Sequence, residues 1–174
     1  VETLVIAILL VILVVYFFLQ DFKSTVIPSI SIMVSLIGTF ACLSMFGFSI
    51  NILTLFALVL AIGMVVDDSI VVVEAVQSKF DIGYKSPYQA TKDAMSDVTM
   101  AVITCTIVFM AVFIPVTFMG GTSGIFYTQF GITMATAVGI SCINALTLCP
   151  ALCAMIMRPA DGTKSAKSFN GRVK

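Results

Sequence analysis

Five long apolar runs constrain this chain more than any other feature. The 174 residues are 60% hydrophobic and only 10% charged, whereas a soluble domain carries roughly 25% charged residues. Each run holds at least about 17 residues, enough for a helix to cross a hydrocarbon layer of roughly 30 Å. We therefore predict an all-α membrane protein, a polytopic bundle of about five transmembrane helices. The predicted spans are residues 3–19, 25–46, 52–76, 98–119 and 130–157.

Polar residues between the spans predict how the helices begin. Pro28 is expected in the first turn of the second helix, where its missing N–H leaves no bond unmade. Ser86 and Gln89 predict a capping box with Pro87 at the first helical position. This box would begin a short amphipathic helix, Pro87–Asp97, that lies along the cytoplasmic side of the membrane before the fourth span.

Residues 1–158 are predicted to form the bundle, and residues 159–174 a polar cytoplasmic tail or linker. Pro150 predicts a kink in the fifth span. The chain starts at Val1 without a basic segment before its first apolar run, so we expect a piece of a larger membrane protein and no signal peptide. Small residues at helical spacing in the second and fifth spans indicate close helix contact; they are Ser31, Ser35, Gly38, Cys42, Gly131, Ala135 and Gly139.

The basic residues orient the spans. All of them follow the first, third or fifth span, and cytoplasmic connections are enriched in Lys and Arg. The chain is therefore predicted to start on the outer side and to end in the cytoplasm. The basic residues are Lys23, Lys79, Lys85, Lys92, Arg158, Lys164, Lys167, Arg172 and Lys174.

Two adjacent acids, Asp67 and Asp68, lie deep in the third span, in the run LFALVLAIGMVVDDSIVVVEAV. One charged residue at the centre of a membrane helix costs about 2.5–3.5 kcal/mol on insertion scales, so a functional role is the first interpretation. Neighbours on a helix point about 100° apart, so the two acids should splay to either side of one face. Glu74, seven residues after Asp67, lies on nearly the same face and about 10 Å nearer the cytoplasm, where it can act as a relay.

Burial and a neighbouring like charge both favour the neutral form of a carboxyl group, so a proton can be held at this depth near neutral pH. No Lys or Arg lies in the predicted spans. The counter-ion of Asp67 and Asp68, or the water that replaces it, is therefore expected from another segment or subunit.

Several residues leave alternatives open. Asp67 and Asp68 can serve helix packing, and Glu74 can be merely interfacial. Asn144 either lines a water path or bonds a neighbouring helix. Cys149 and Cys153 share a helical face, which favours small apolar packing over a soft-metal site because the chain has no His.

Other function classes find little support in the sequence. The glycine-rich turn at residues 120–124 has no following Lys and is not a phosphate-binding loop. Acidic and basic residues balance at nine each, which gives no sign of nucleic-acid binding, and no cofactor is implied. An intramembrane aspartyl protease needs two acids that converge from separate helices, whereas Asp67 and Asp68 are neighbours on one. A structural or sensor membrane module remains a further alternative.

The segments GMVVDDSIVVVEAV, FGFSINILTLFALVLAI and FIPVTFMGGTSGIFYTQFGITMATAVG resemble the fourth to sixth transmembrane helices of resistance-nodulation-division (RND) exporters. The resemblance extends from Thr3 to about Pro159. It implies that the chain holds helices two to six of the first of two repeats, without the periplasmic substrate-binding domains. It also implies a transporter of the bacterial inner membrane rather than an enzyme.

By the same resemblance, Asp67 and Asp68 are the proton-translocating acids, with a Lys partner in the second repeat. The double acid is similar to the branch that exports hydrophobic and amphiphilic compounds by proton antiport, the multidrug efflux pumps. The family further implies a homotrimer, a periplasmic adaptor and an outer-membrane channel as partners, besides the lipid bilayer, protons and substrates.

Overall fold

Six helices make up the computed structural model, which describes residues 2–19, 21–48, 51–121 and 123–158. Five helical stretches are long and apolar enough to cross a membrane, because α5 and α6 count together as one. The described residues contain no strand, so the predicted all-α bundle is confirmed. The predicted tail at 159–174 lies outside the described residues. The helices are α1 (Glu2–Leu19), α2 (Phe22–Met45), α3 (Ile52–Asp81), α4 (Pro87–Val116), α5 (Gly124–Leu146) and α6 (Leu148–Ile156).

Helix α3 is the centre of the bundle and contacts each of the other five helices. In the most apolar segment of α3, 50% of the residues are buried, compared with 6% in the corresponding segments of α1 and α4. Three buried apolar clusters surround α3, and it contributes side chains to all of them, among them Val76, Ile62 and Ala61. The two intramembrane acids therefore belong to the helix with the most neighbours.

Helix α2 begins one turn earlier than predicted, at Phe22, because Asp21 caps it. The Asp21 carboxylate accepts bonds from the Lys23 N–H at 3.3 Å and from the Ser24 hydroxyl at 3.0 Å. Asp is a favoured capping residue because it accepts bonds from the unpaired N–H groups of the first turn. Pro28 consequently lies inside α2, whereas the sequence predicted it in the first turn.

The capping box is found at α3 and not at α4. The Thr54 N–H donates to the Asn51 side chain and the Asn51 N–H donates to the Thr54 hydroxyl, both at 2.9 Å. The box predicted at Ser86 is wrong: Ser86 precedes α4 but makes no side-chain capping bond. The Gln89 side chain is exposed and so has no need of a backbone partner. Pro87 does open the helix, as predicted.

The predicted short amphipathic helix is the first part of α4 and not a separate element. Residues 87–116 form one continuous helix of 30 residues. Ala90 and Ala94 are buried against Val76 and Phe80 of α3, which holds this segment beside α3. The Lys79 ammonium and the Asp97 carboxylate add an ion pair at 2.6 Å. Helix α4 thus begins about three turns before the predicted fourth span, and apolar packing stabilises this added part.

The fifth span begins at Gly124 and breaks at Thr147, between α5 and α6. Proline lacks the N–H that would bond to the carbonyl four residues earlier, and its ring also crowds that carbonyl. For Pro150 the carbonyl belongs to Leu146, the last residue of α5. The predicted kink is therefore present but lies three residues before the proline.

Candidate functional site

Asp67 and Asp68 face different parts of the bundle. The Asp68 side chain is half-buried and points to α5, where its Oδ2 accepts a hydrogen bond from the Ser141 hydroxyl at 2.7 Å. Asp67 is exposed and lines a groove between α1 and α3. Successive helical residues differ in direction by about 100°, which places one acid on each side of the α3 face. The two carboxyl groups thus have different surroundings although they are neighbours in sequence.

The groove has a volume of about 1050 Å³. Its α1 wall is apolar and includes Leu10, Val14 and Phe18. Its α3 wall becomes increasingly polar from Asp67 toward the C-terminal end of the helix. The polar residues of the groove are Asp21, Ser24, Asp67, Glu74, Gln77, Ser78 and Asp81.

Glu74 lies on the same wall as Asp67. Their separation of seven residues corresponds to two helical turns, or about 10 Å along the axis. Both carboxylates are exposed to the groove, whereas Ser69, Val72 and Val73 between them are buried. The arrangement provides a row of proton acceptors from the middle of α3 to its end.

Three side-chain hydrogen bonds connect α2, α3 and α5 pairwise, and we call them the polar triangle. The Ser69 hydroxyl of α3 donates to Ser31 of α2 at 2.8 Å. The Asn144 amide of α5 donates to Ser35 of α2 at 2.7 Å. The third bond is the one from Ser141 to Asp68. Because each helix bonds to the other two, the triangle fixes their relative rotation around Asp68.

Cys149 of α6 extends this network. Its sulfur lies 3.4 Å from Ser69 Oγ and 3.6 Å from Ser31 Oγ, so its single S–H can donate to either hydroxyl. Cys149 and Cys153 are both fully buried in the cluster that contains Val76 and Met157. In the part of the chain that the structure describes, no group of three or more potential metal ligands occurs. Because both thiols are buried in this apolar cluster they contribute to packing, and Cys149 contributes also to the polar contacts.

Asn144 bonds a neighbouring helix, one of the two alternatives that the sequence left open. Ser31 and Ser35 were expected to allow close helix contact, and they also supply hydroxyl groups to the triangle. Ser69 and Ser141 were missed by sequence reasoning. Ser69 has one sequence signal, its position directly after Asp68, which does not identify its partner, and Ser141 has none.

Within the described residues, no basic side chain forms an ion pair with Asp67 or Asp68. Lys79, near the end of α3, is paired with Asp97 instead. A carboxylate within a membrane-spanning helix and without a cation is costly to keep charged. The two acids can therefore take up protons or accept a cation supplied by a further segment.

Comparisons with known proteins agree with this arrangement. A sequence profile described as the AcrB/AcrD/AcrF family matches residues 1–173. The multidrug export protein AcrF of Escherichia coli K12 is 49% identical over 161 residues, which is 92% of this chain and 16% of AcrF. The solvent-resistant pump membrane transporter SrpB of Pseudomonas putida is 45% identical over 173 residues, 98% of this chain and 16% of SrpB.

The multidrug resistance protein MdtF of E. coli K12 is 47% identical over 159 residues, which is 91% of this chain. The chain spans about 15% of the length of MdtF. The family match covers residues 1–173, so the similarity includes α3 with its two acids, α5, which bonds to Asp68, and α1, across the groove from Asp67. The resemblance to RND exporters is thus confirmed, and the chain belongs to the AcrB/AcrD/AcrF family.

Proposed function

We propose that this chain forms the proton-translocating part of an RND-type secondary transporter, which exports hydrophobic or amphiphilic compounds by proton antiport. The observation that carries the proposal is the position of Asp67 and Asp68 on the central helix, one open to a groove and the other bonded to α5. Intramembrane acids of this kind mark proton relays. The names of the relatives, which refer to multidrug and solvent export, support the substrate class.

In this proposal Asp67 and Asp68 bind and release protons, and Glu74 passes them along the groove. A proton that crosses the membrane releases about 2.3 kcal/mol for each 100 mV of potential. Protonation removes the charge from an acid in a low-dielectric site, so it changes which contacts that acid prefers. The central position of α3 allows such a change to reach α1, α2, α4, α5 and α6 directly.

The partner cation is proposed to come from outside the five spans described. The RND resemblance assigns it to a Lys in a second repeat, and this chain would then be helices two to six of the first repeat. The wall of α3 that carries Asp67 is open in this chain, which leaves room for such a helix. A homotrimer, a periplasmic adaptor and an outer-membrane channel complete the proposed assembly.

We propose the bacterial inner membrane as the location, with the chain starting on the periplasmic side and ending in the cytoplasm. Lys23 lies at the start of α2, Lys79 near the end of α3 and Lys92 in the second turn of α4. Asp21 and Ser24 line the same groove as Ser78 and Asp81, so the start of α2 lies beside the end of α3, and α4 begins six residues after α3 ends; the three residues therefore belong to one end of the bundle. Cytoplasmic ends are enriched in basic residues, which supports this orientation.

The geometry favours a transporter over an aspartyl protease. Protease carboxylates share a proton and act on one water between them. Asp67 and Asp68 point into different environments, the groove and the α5 interface. One observation favours a purely structural module, the hydrogen bond from Ser141 to Asp68. The experiment must therefore separate a role in transport from a role in assembly.

The test uses the full-length transporter with Asp67→Asn or Asp68→Asn, reconstituted into vesicles under an imposed pH gradient. We expect both variants to lose efflux of a fluorescent hydrophobic substrate while trimer content and yield stay normal. Asp97→Asn, which alters an acid at the Lys79 ion pair, is the control and should retain efflux. Normal efflux in both aspartate variants would contradict the proposal. Loss of efflux accompanied by an equal loss of trimer would also contradict it, because it would indicate a role in assembly.

A further inference from the structure

The polar triangle includes one of the two adjacent acids, Asp68, and not the other, Asp67. Asp68 has a hydroxyl donor at 2.7 Å, and the residue that follows it, Ser69, is bonded to α2. Asp67 accepts no hydrogen bond from any residue that the structure describes, and its side chain is exposed in the groove. One acid is thus held by its surroundings, and the other is free to exchange protons with water.

The donor to Asp68 is itself firmly held. Ser141 is 2% exposed, and Asn144, one turn further along α5, is bonded to Ser35. A buried polar group that loses its hydrogen-bond partner is costly, so the Ser141–Asp68 and Asn144–Ser35 bonds both stabilise the same orientation of α5. Rotation of α5 that moved Ser141 away from Asp68 would also break the bond from Asn144.

We propose that Ser141 is a positioning residue for Asp68, and that Asp67 is the acid that exchanges protons with the groove. This inference rests on the proposed function and assigns separate roles to the two acids of the same site. The Ser141 O–H donates to Asp68 Oδ2, which fixes the direction of that carboxyl group, and such a donor is a better partner for the ionised acid than for the protonated one. Asp67 has no such donor, and its route to Glu74 is open.

The neighbouring helices present few titratable groups to Asp68. Cys149 of α6 is near it through Ser69, and Asp67 is adjacent on α3. Ser31, Ser35, Ser141 and Asn144 contribute only hydroxyl and amide groups. Other titratable groups lie further along the same helices: Glu2 and Tyr16 on α1, Asp21 before α2, Lys23 and Cys42 on α2, Glu74, Lys79 and Asp81 on α3, Tyr88, Lys92, Asp93, Asp97 and Cys105 on α4, Tyr127 and Cys142 on α5, and Cys153 on α6.

The experiment measures the pH dependence of efflux and the thermal unfolding of the full-length transporter with Ser141→Ala. Loss of the donor favours the protonated form of Asp68, so the limb of the pH profile that depends on its ionisation should move to higher pH. A hydrogen bond to a charged group corresponds to a shift of roughly one pH unit. Ser141→Thr keeps the hydroxyl and should restore the original profile.

Ser29→Ala is the matched control, because the one bond that the Ser29 hydroxyl makes to a described residue is to a carbonyl of its own helix, that of Thr25. It should leave the pH profile unchanged. A Ser141→Ala variant with lower thermal stability but an unmoved profile would show a packing role and overturn the inference. Failure of the proposed function would be recognised separately, since both Asp67→Asn and Asp68→Asn would then retain efflux, whereas retained efflux in Asp67→Asn alone would overturn only the role assigned here to Asp67.

Discussion

The side-chain amide of Asn144 donates a hydrogen bond to the Ser35 hydroxyl at 2.7 Å and so joins α5 to α2 inside the bundle. Both residues are buried, with exposed fractions of 8% and 1%. Hydrogen bonds between membrane helices contribute about 0.6 kcal/mol on average and up to about 1.7 kcal/mol. This bond is one side of the polar triangle around Asp68.

We expect Asn144→Ala to lower the free energy of unfolding by about 1–2 kcal/mol, because Ser35 then lacks a buried partner. Denaturant unfolding in detergent micelles measures this change. A double-mutant cycle with Ser35→Ala should give a coupling of about 0.6–1.7 kcal/mol. Strict additivity of the two substitutions would show that the bond contributes nothing to stability.

Gly131 should tolerate no larger side chain. A Cβ atom at this position would lie 2.7 Å from Thr117 Cγ2 and 3.0 Å from the Phe113 carbonyl oxygen. Because the oxygen belongs to the backbone of α4, the helices must separate, and Gly131→Ala should cost about 1–3 kcal/mol of stability. At Gly139 the nearest atom is the flexible Met110 Cε at 3.0 Å. Gly139→Ala is therefore the control, and equal losses in thermal unfolding would refute the explanation.

Glu74→Gln tests the relay along the groove. The side-chain amide of the variant cannot bind and release a proton as the Glu74 carboxylate does, although water in the groove can replace part of the proton path. We expect efflux to slow by roughly tenfold, which corresponds to about 1.4 kcal/mol on the barrier. Gln77→Glu, on the same wall of the groove, adds an acceptor and should not reduce efflux. An unchanged rate in Glu74→Gln would assign Glu74 to a merely interfacial role.

The connection between α3 and α4 is predicted to weaken in alkaline solution. The Tyr84 hydroxyl donates to Asp93 Oδ2 at 2.8 Å, and this bond, with the negative charge of Asp93, raises the pKa of Tyr84. The folded state thus holds this proton more tightly than the unfolded state. The stability that the bond provides is complete below the usual tyrosine pKa of about 10 and is lost as pH rises through the higher folded-state value.

Tyr84→Phe should remove this dependence, and unfolding measured between neutral and alkaline pH should detect it. The parent protein is expected to lose more stability than the Tyr84→Phe variant as tyrosine ionises. Tyr88, exposed on the first turn of α4, supplies the control substitution Tyr88→Phe. Parallel curves for the parent and Tyr84→Phe would contradict the prediction.

The number and order of the spans were predictable because they depend on local composition, and Asp67 and Asp68 stood out because buried charge is costly. Helix ends were less predictable. The sequence analysis did not identify the caps at Asp21 and Asn51, and packing of Ala90 and Ala94 against α3 stabilises α4 beyond its apolar run.

The polar triangle could not be predicted from the sequence. Its three bonds join residues 38, 73 and 109 positions apart. Which serine faces which acid depends on the rotation of each helix, and an error of one residue in a helix start changes the direction by about 100°. Only the packed structure shows that Ser141 meets Asp68 and not Asp67.

The most direct test of the central claim is proton movement coupled to transport. Purified full-length transporter in vesicles that contain a pH-sensitive dye should move protons when a hydrophobic substrate is added. The account predicts that Asp67→Asn abolishes this substrate-dependent proton flux while leaving assembly intact. Proton flux of normal size in Asp67→Asn would contradict it.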